Sequence, residues 1–162
     1  MKKILFLMFL VVGIGTISAQ DEVEFSEEDY TKYATVMLWA EMEKERMTGV
    51  YNDWINNDEA LAAARFVEIK SAKGDSVKLQ EIEVTTEELT AFETIQVNYD
   101  SMTASFKEVY IGKIKEDIGA GLYNKLKKAL KADANIKTQY KAVYDALKEE
   151  SAATEEDEET EQ

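Results

Sequence analysis

The stretch "IGAGLYNKLKKALKADANIKTQYKAVYDAL", from Ile118 to Leu147, decides how this chain closes its fold. Apolar residues recur in it at alternating steps of four and three, which is the spacing of one helix face. Asp133 interrupts this stripe, and burying an unpaired carboxylate is costly. The stretch is either one continuous helix or two helices, with Asp133 as the N-cap of a second helix that starts at Ala134. The two-helix hairpin is favoured. The stripe comprises Leu122, Leu126, Ala129, Asp133, Ile136, Tyr140, Val143 and Leu147.

A long helix is expected immediately before this stretch. "TTEE" (Thr85 to Glu88) has the pattern of a capping box, in which the Thr and Glu side chains satisfy first-turn amides. The glycines of "GAG" (Gly119 to Gly121) are typical of a helix C-terminus, so we expect the helix to end there. Its apolar stripe comprises Leu89, Phe92, Ile95, Tyr99, Met102, Phe106, either Val109 or Tyr110, Ile114 and Ile118.

A second long helix is expected near the start of the chain, over about Glu27 to Ile55. "SEED" (Ser26 to Asp29) is another capping-box pattern. Lys44 interrupts the apolar stripe of this helix, and its stem can lie along the seam while its ammonium reaches water. The stripe comprises Tyr30, Tyr33, Met37, Ala40, Lys44, Met47, Tyr51 and Trp54.

The two long helices show a weak repeat at an offset of 59 residues, for example Tyr51 with Tyr110 and Ile55 with Ile114. Either a duplication or the convergence of capped amphipathic helices accounts for it. Between the helices, a turn at 56–58 and a glycine at position 74 bound a short helix. Residues 74–86 are expected to form a connector. The predicted fold is an all-α bundle of two long antiparallel amphipathic helices with shorter closing helices.

The N-terminus has the layout of a secretory signal peptide, residues 1–19. Two lysines precede an apolar run, Ile4 to Ile14, and small residues end at Ala19. The alternative, an uncleaved membrane anchor, needs about 20 apolar residues, and this run is shorter. We therefore expect residues 20–148 to form a single helical domain without a membrane span, exported to the periplasm or the extracellular medium. Residues 149–162 are expected to be a disordered acidic tail.

Composition excludes several chemistries. The chain has no His and no Cys, so it lacks the usual nucleophile triads, zinc ligands and haem ligands. A net charge of −14 disfavours nucleic acid and anionic lipid headgroups. The tail, Glu155 to Glu161, is either a weak calcium binder or simply solvated. We expect no cofactor, no metal site and no catalytic residue, and a hydrolase with paired carboxylates is the third-ranked hypothesis.

Two segments carry a resemblance to a known family. "TEELTAF" (Thr86 to Phe92) resembles the opening of the bacterial domain of unknown function 4168 family, and "FSEEDYTKYA" (Phe25 to Ala34) echoes it. "GLYNKLKKALKADANI" (Gly121 to Ile136) resembles its closing pattern. The resemblance implies an exported helical domain and supplies no activity or site residues. The matching positions in the closing segment are Gly121, Leu122, Tyr123, Asn124, Leu126, Ala129, Leu130, Asp133 and Ile136.

Two functions remain as hypotheses. The first is a non-enzymatic role in the cell envelope, by binding a protein partner or as a structural component. Trp39 is the candidate contact because it lies off the apolar stripe and Trp is enriched at binding hot spots. The alternative for Trp39 is burial against the short helix or the connector. The second function is binding of a small apolar ligand in an enclosed cavity. The predicted cavity residues are Met37, Met47, Tyr99 and Phe106.

Overall fold

The computed structural model describes residues 24–159, with side chains through residue 153, and every regular element in that range is helical. The elements are α1 (Glu27–Asn56), α2 (Ala63–Ala72), α3 (Ser76–Glu81), α4 (Thr86–Lys113), a π-helical turn (Ile114–Ile118), α5 (Ala120–Ala132) and α6 (Ala134–Glu159). The predicted all-α bundle is therefore confirmed. Within the described range no helix is long and apolar enough to cross a membrane. The expected signal peptide, residues 1–19, lies outside that range.

The helices α1 and α4 form the antiparallel pair that the sequence predicts. Near the end of α1, the Tyr51 hydroxyl accepts a hydrogen bond from Gln96 Nε2 at 2.8 Å. Near the end of α4, the Tyr110 hydroxyl lies 3.6 Å from the Met37 sulfur. Seven residues of α1 are buried but only two of α4, so α1 is the central helix and α4 an edge helix.

The last helix, α6, is a third long helix rather than a short closing one. It runs parallel to α1, because Tyr30 donates to Gln139 Oε1 at 2.9 Å while Glu41, further along α1, contacts Tyr144 and Lys148. Its backbone stays helical to Glu159, into the acidic segment 149–162 for which the sequence predicts disorder.

Both predicted capping boxes are present and set where the long helices begin. At α1, Ser26 Oγ accepts from the Asp29 amide at 3.2 Å and the Asp29 carboxylate accepts from the Ser26 amide at 2.9 Å. At α4, Thr85 Oγ1 accepts from the Glu88 amide at 3.1 Å and Glu88 accepts from the Thr85 amide at 2.8 Å. Each pair satisfies amides that the first helical turn leaves free.

Asp133 separates α5 from α6, which confirms the two-helix interpretation of the C-terminal stretch. Its carboxylate accepts hydrogen bonds from the amides of Asn135 at 2.7 Å and Ile136 at 3.3 Å. Asp133 is exposed, so the break removes the cost of burying its charge.

A π-helical turn and a glycine end α4 where the sequence predicts its end. The Gly119 amide donates to the Ile114 carbonyl at 2.8 Å, five residues back, and the widened turn leaves Ile118 only 7% exposed. Gly119 has a φ of +85°, a conformation that residues with a Cβ rarely adopt. The chain reverses at this one residue, because α5 starts at Ala120.

Two separate cores lie at the two ends of the α1–α4 pair. The tyrosine core comprises Tyr30, Tyr33, Val36, Ile118 and Leu126, closed by α5 and the start of α6. The phenylalanine core comprises Leu61, Phe66, Ile69, Phe92 and Ile95, closed by α2 and α3.

The predicted connector over residues 74–86 is partly helical, which corrects the sequence prediction. Asp75 is the N-cap of α3 and accepts from the amides of Val77 and Lys78, at 3.1 and 3.2 Å. This local cap permits a six-residue helix, which is too short for a helical period to be visible in the sequence. Leu79, Ile82 and Val84 pack on the phenylalanine core.

Arg65 stabilises the end of the bundle that contains the phenylalanine core. Its guanidinium donates to Glu88 at 2.7 Å, to the Ile82 carbonyl at 2.6 Å and to Glu68 at 2.6 Å. It thereby links α2, the turn after α3 and the first turn of α4. The hydrogen bonds from Arg65 and from the Thr85 amide lower the pKa of Glu88 to about 2.

We predict that Glu88→Gln lowers the stability of the fold at neutral pH and makes that stability less sensitive to acid. An unfolded Glu titrates near pH ~4.3 and folded Glu88 near about 2. The contribution of Glu88 is therefore fully present above pH ~4.3 and is lost as the pH falls through about 2. The variant should melt at a lower temperature at pH ~7 and lose less between pH ~5 and ~2, followed by circular dichroism. Glu87→Gln, which removes the same charge without touching Arg65, is the control. Equal profiles for the two variants would contradict the role of Arg65.

We also predict opposite effects at two neighbouring glycines, although an added Cβ meets no atom within 4 Å at either. Gly119→Ala should destabilise the fold by about 1–2 kcal/mol because of the positive φ. Gly121→Ala, inside α5, should stabilise it by about 0.5–1 kcal/mol. Urea unfolding measures both. A stabilised Gly119→Ala variant would show that the turn tolerates another backbone conformation.

Candidate binding groove

An open groove of about 790 Å³ lies along the middle of α1. Met37, Ala40, Lys44 and Thr48 of α1 form its floor. Tyr110 of α4 lines one side, Tyr140 and Tyr144 of α6 line the other, and Leu130 of α5 lies at one end. Tyr33, Glu41 and Glu45 complete the lining. The groove is open to solvent rather than enclosed.

The groove exists because the shorter helices cover only the ends of α1. At one end, Tyr33 stacks on Tyr123 of α5, with ring centroids 5.5 Å apart. At the other end, Tyr51 packs edge-on against Phe66 of α2 at 6.0 Å. The floor between them, residues 37–48, is about 17 Å long at ~1.5 Å per residue. No helix of the described range fills this space.

Tyrosines dominate the closed end of the groove. Six of the eight tyrosines of the chain belong to this region. Tyr33 stacks on Tyr123 and meets Tyr140 edge-on at 5.6 Å, and Tyr140 contacts Tyr144 at 5.7 Å. The Tyr110 and Tyr123 hydroxyls are 3.3 Å apart. Tilted and offset ring contacts of this kind stabilise beyond the area they bury.

The groove tyrosines remain neutral over the physiological range. Burial raises the pKa of Tyr33 to about 12 and also raises the pKa of Tyr110 and Tyr140. Burial, and then a hydrogen bond to Glu41, raises the pKa of Tyr144 to about 12. Among the described residues, the hydroxyls of Tyr33 and Tyr140 have no hydrogen-bond partner, and no buried polar atom is unsatisfied. Both hydroxyls are therefore open to a ligand or to water.

Carboxylates line the α6 side of the groove. Glu41 accepts from the Tyr144 hydroxyl and from Lys148 Nζ, both at 2.5 Å, and these contacts lower its pKa, the one with Lys148 most strongly. Glu45, one turn further along α1, has no hydrogen bond or salt bridge within the described part of the chain. The Lys44 ammonium lies 5.8 Å from the Phe106 ring centroid, so only the stem of this side chain forms part of the groove floor.

These groups can bind, but they do not form a recognisable catalytic arrangement. A general acid needs a raised carboxyl pKa, whereas the pKa of Glu41 is lowered. Among the described residues no cluster of three or more acidic groups could hold a metal ion. The groove instead offers aromatic faces, two hydroxyls without a protein partner and the carboxylate of Glu45, which suit an apolar segment carrying a positive charge.

Trp39, the predicted partner contact, does not line the groove. Its ring stacks on Phe106 of α4 at 5.8 Å, and Lys113 Nζ lies 5.1 Å from its centroid. It is partly buried, and its neighbours belong to α4, not to the short helix or the connector that the alternative names.

The four residues predicted to enclose a cavity are not brought together. Met37 lines the groove, whereas Met47, on the same stretch of α1, is buried and does not line it. Tyr99 packs on Tyr51 at 4.4 Å, and Phe106 packs on Trp39. Antiparallel pairing places Tyr99 and Phe106 opposite different turns of α1.

One sequence feature marks the groove floor. Lys44 interrupts the apolar stripe of α1, and in the structure Lys44 is exposed and lines the groove. Tyr144 and Glu41 lie on different helices, so no local pattern could indicate their contact.

No protein family, curated protein or solved structure matches the chain in comparisons of sequence and fold.

We predict an alkaline loss of stability that originates in the groove tyrosines. An unfolded Tyr ionises near pH ~10 and folded Tyr33 near about 12. The contribution of a raised pKa is fully present below pH ~10 and is lost as the pH rises through about 12. Tyr33→Phe should reduce the fall in melting temperature across this window by about 2–4 °C. Met47→Leu, a substitution of one buried residue that does not titrate by another, should lower stability equally at pH ~10 and at about pH 12. An unchanged slope in Tyr33→Phe would contradict the assignment.

Proposed function

We propose that this protein is an exported, non-enzymatic binding protein of the cell envelope that holds a helical segment of a partner protein in the groove. The leader pattern at residues 1–19 supports export. We include in this proposal the resemblance of residues 121–136 to the domain of unknown function 4168 family. That resemblance supports the same location.

The open middle of α1 carries this proposal. Its floor combines the partly buried Met37, Ala40, which is only 4% exposed, and the exposed Lys44. A floor of about 17 Å matches about three turns of helix. A partner helix would complete the missing layer between α4 and α6, which is the helix-in-groove mode of recognition.

Charge favours a partner segment that carries Lys or Arg. The carboxylate of Glu45, which forms no hydrogen bond or salt bridge among the described residues, borders the groove on one side with the faces of Tyr140 and Tyr144. A cation there could pair with Glu45 and lie over an aromatic ring. The chain's net charge of −14 also favours the approach of a basic partner.

A small apolar ligand is the second candidate. The groove volume of about 790 Å³ falls within the range of ~300–1,000 Å³ typical of small-molecule sites. The openness of the groove favours a macromolecular segment instead, because a small ligand is usually held with most of its surface buried.

Photo-crosslinking in cells tests the proposal. Benzoylphenylalanine at Thr48, on the floor, should crosslink to one defined protein. The same probe at Val97, an α4 residue that is 66% exposed and lies outside the groove, should not. Glu45→Lys should reduce the Thr48 crosslink about fivefold, as expected for the loss of ~1 kcal/mol from one charge contact.

A probe at Trp39 separates the two partner surfaces. Crosslinks from Trp39 without any from Thr48 would reject the groove and support the surface that the sequence indicates. Crosslinks from Thr48 that persist unchanged in Glu45→Lys would reject the basic partner segment.

A further inference from the structure

The outer face of α5 is basic, although the chain as a whole is acidic. Residues 120–132 contain four lysines and no acid. Lys125, Lys127, Lys128 and Lys131 are all exposed. Leu126 is fully buried in the tyrosine core, and helical periodicity places Lys128 and Lys131 opposite it, with Lys125 and Lys127 on the two flanks. Among the described residues these lysines form no salt bridge, and Lys127 contacts only the Tyr123 ring and hydroxyl.

The acids that flank α5 in the sequence, Glu116, Asp117 and Asp133, are fewer than its lysines. Asp133 uses its carboxylate to cap α6, and Asp117 pairs with Lys113 at 3.8 Å. Charges further than about 8 Å away are screened at physiological salt. A surface that approaches α5 therefore meets the local lysines rather than the net charge of −14.

The same end of the molecule receives the N-terminal segment. Phe25 packs on Tyr30 with ring centroids 5.9 Å apart, and both belong to the tyrosine core that α5 closes. The described part of the chain therefore begins at the end of the bundle that α5 closes.

We propose that the lysine face of α5, defined by Lys125, Lys127, Lys128 and Lys131, docks the protein on an anionic phospholipid surface. A cluster of four or more basic residues on an amphipathic helix is a recognised signature of such binding. The apolar side of α5 is already used in the core, so the contact is electrostatic and does not insert. This inference does not depend on the proposed function of the groove.

The composition of the face favours a membrane over other polyanions. It contains no Arg, the residue suited to paired recognition of phosphate or carboxylate. Arg46 and Arg65, the two arginines of the chain, are paired with Glu43 and with Glu68 and Glu88. Single-stranded nucleic acid also needs exposed aromatic rings for stacking, which this face does not offer.

Vesicle co-sedimentation tests the proposal. A chain that begins at Gln20 is suitable because both cores are built from residues beyond it. It should bind vesicles of phosphatidylglycerol and phosphatidylcholine at about 0.1 M salt and detach at about 1 M, where the Debye length shortens from about 10 to 3 Å. It should not bind pure phosphatidylcholine.

Matched double variants locate the contact. Lys128→Gln with Lys131→Gln should lower the partition coefficient about 25-fold, at about fivefold per lysine. Lys73→Gln with Lys78→Gln removes the same charge at the phenylalanine-core end and should change it less than about twofold. Circular dichroism checks that both fold.

Three results would overturn the proposal: no binding to anionic vesicles at low salt, equal losses in the two double variants, or binding to heparin without binding to vesicles. The last would assign the lysine face to another polyanion.

Discussion

The length of α1 is the constraint on which the rest of the structure depends. Its 30 residues extend about 45 Å, which is too long for one small core to cover. The chain places a separate core at each end and aligns α4 and α6 along the sides. The shorter helices then cover the ends and leave the middle of one face open. The groove is thus a consequence of how the burial of α1 is distributed.

The two cores differ in chemistry, and the difference matches their surroundings. The phenylalanine core is apolar and is fastened from outside by Arg65 and Glu88. In the tyrosine core the Tyr30 hydroxyl donates to Gln139, whereas the Tyr33 hydroxyl has no hydrogen-bond partner among the described residues. Tyrosine can bury its ring while its hydroxyl faces water. This property suits a core that borders an open binding surface.

The local charge on part of the surface differs in sign from the net charge of the chain. The net charge of −14 describes the chain, but α5 carries a local excess of lysines on its outer face. The net charge alone predicts that the chain repels anionic surfaces, because it sums residues that the fold places on different faces. The fold separates the signs in space, and screening makes the local sign decisive at short range.

The sequence by itself determined the elements whose signals are local. The capping boxes at Ser26 and Thr85, the stop at Gly119 and the cap at Asp133 each depend on hydrogen bonds or dihedral angles within a few residues. Helical periodicity likewise predicted the all-α fold and the faces of the long helices. The short helix α3 escaped because six residues are too few to show a period.

The tertiary structure alone decided the groove, the length of α6 along α1 and the surroundings of Trp39. The contacts of Glu41 with Tyr144 and of Trp39 with Phe106 join residues 103 and 67 positions apart. Whether an apolar stripe is covered or open depends on where other helices end, and that is set by packing between distant segments. An amphipathic pattern shows that a face is suited to burial, but it does not show what buries it.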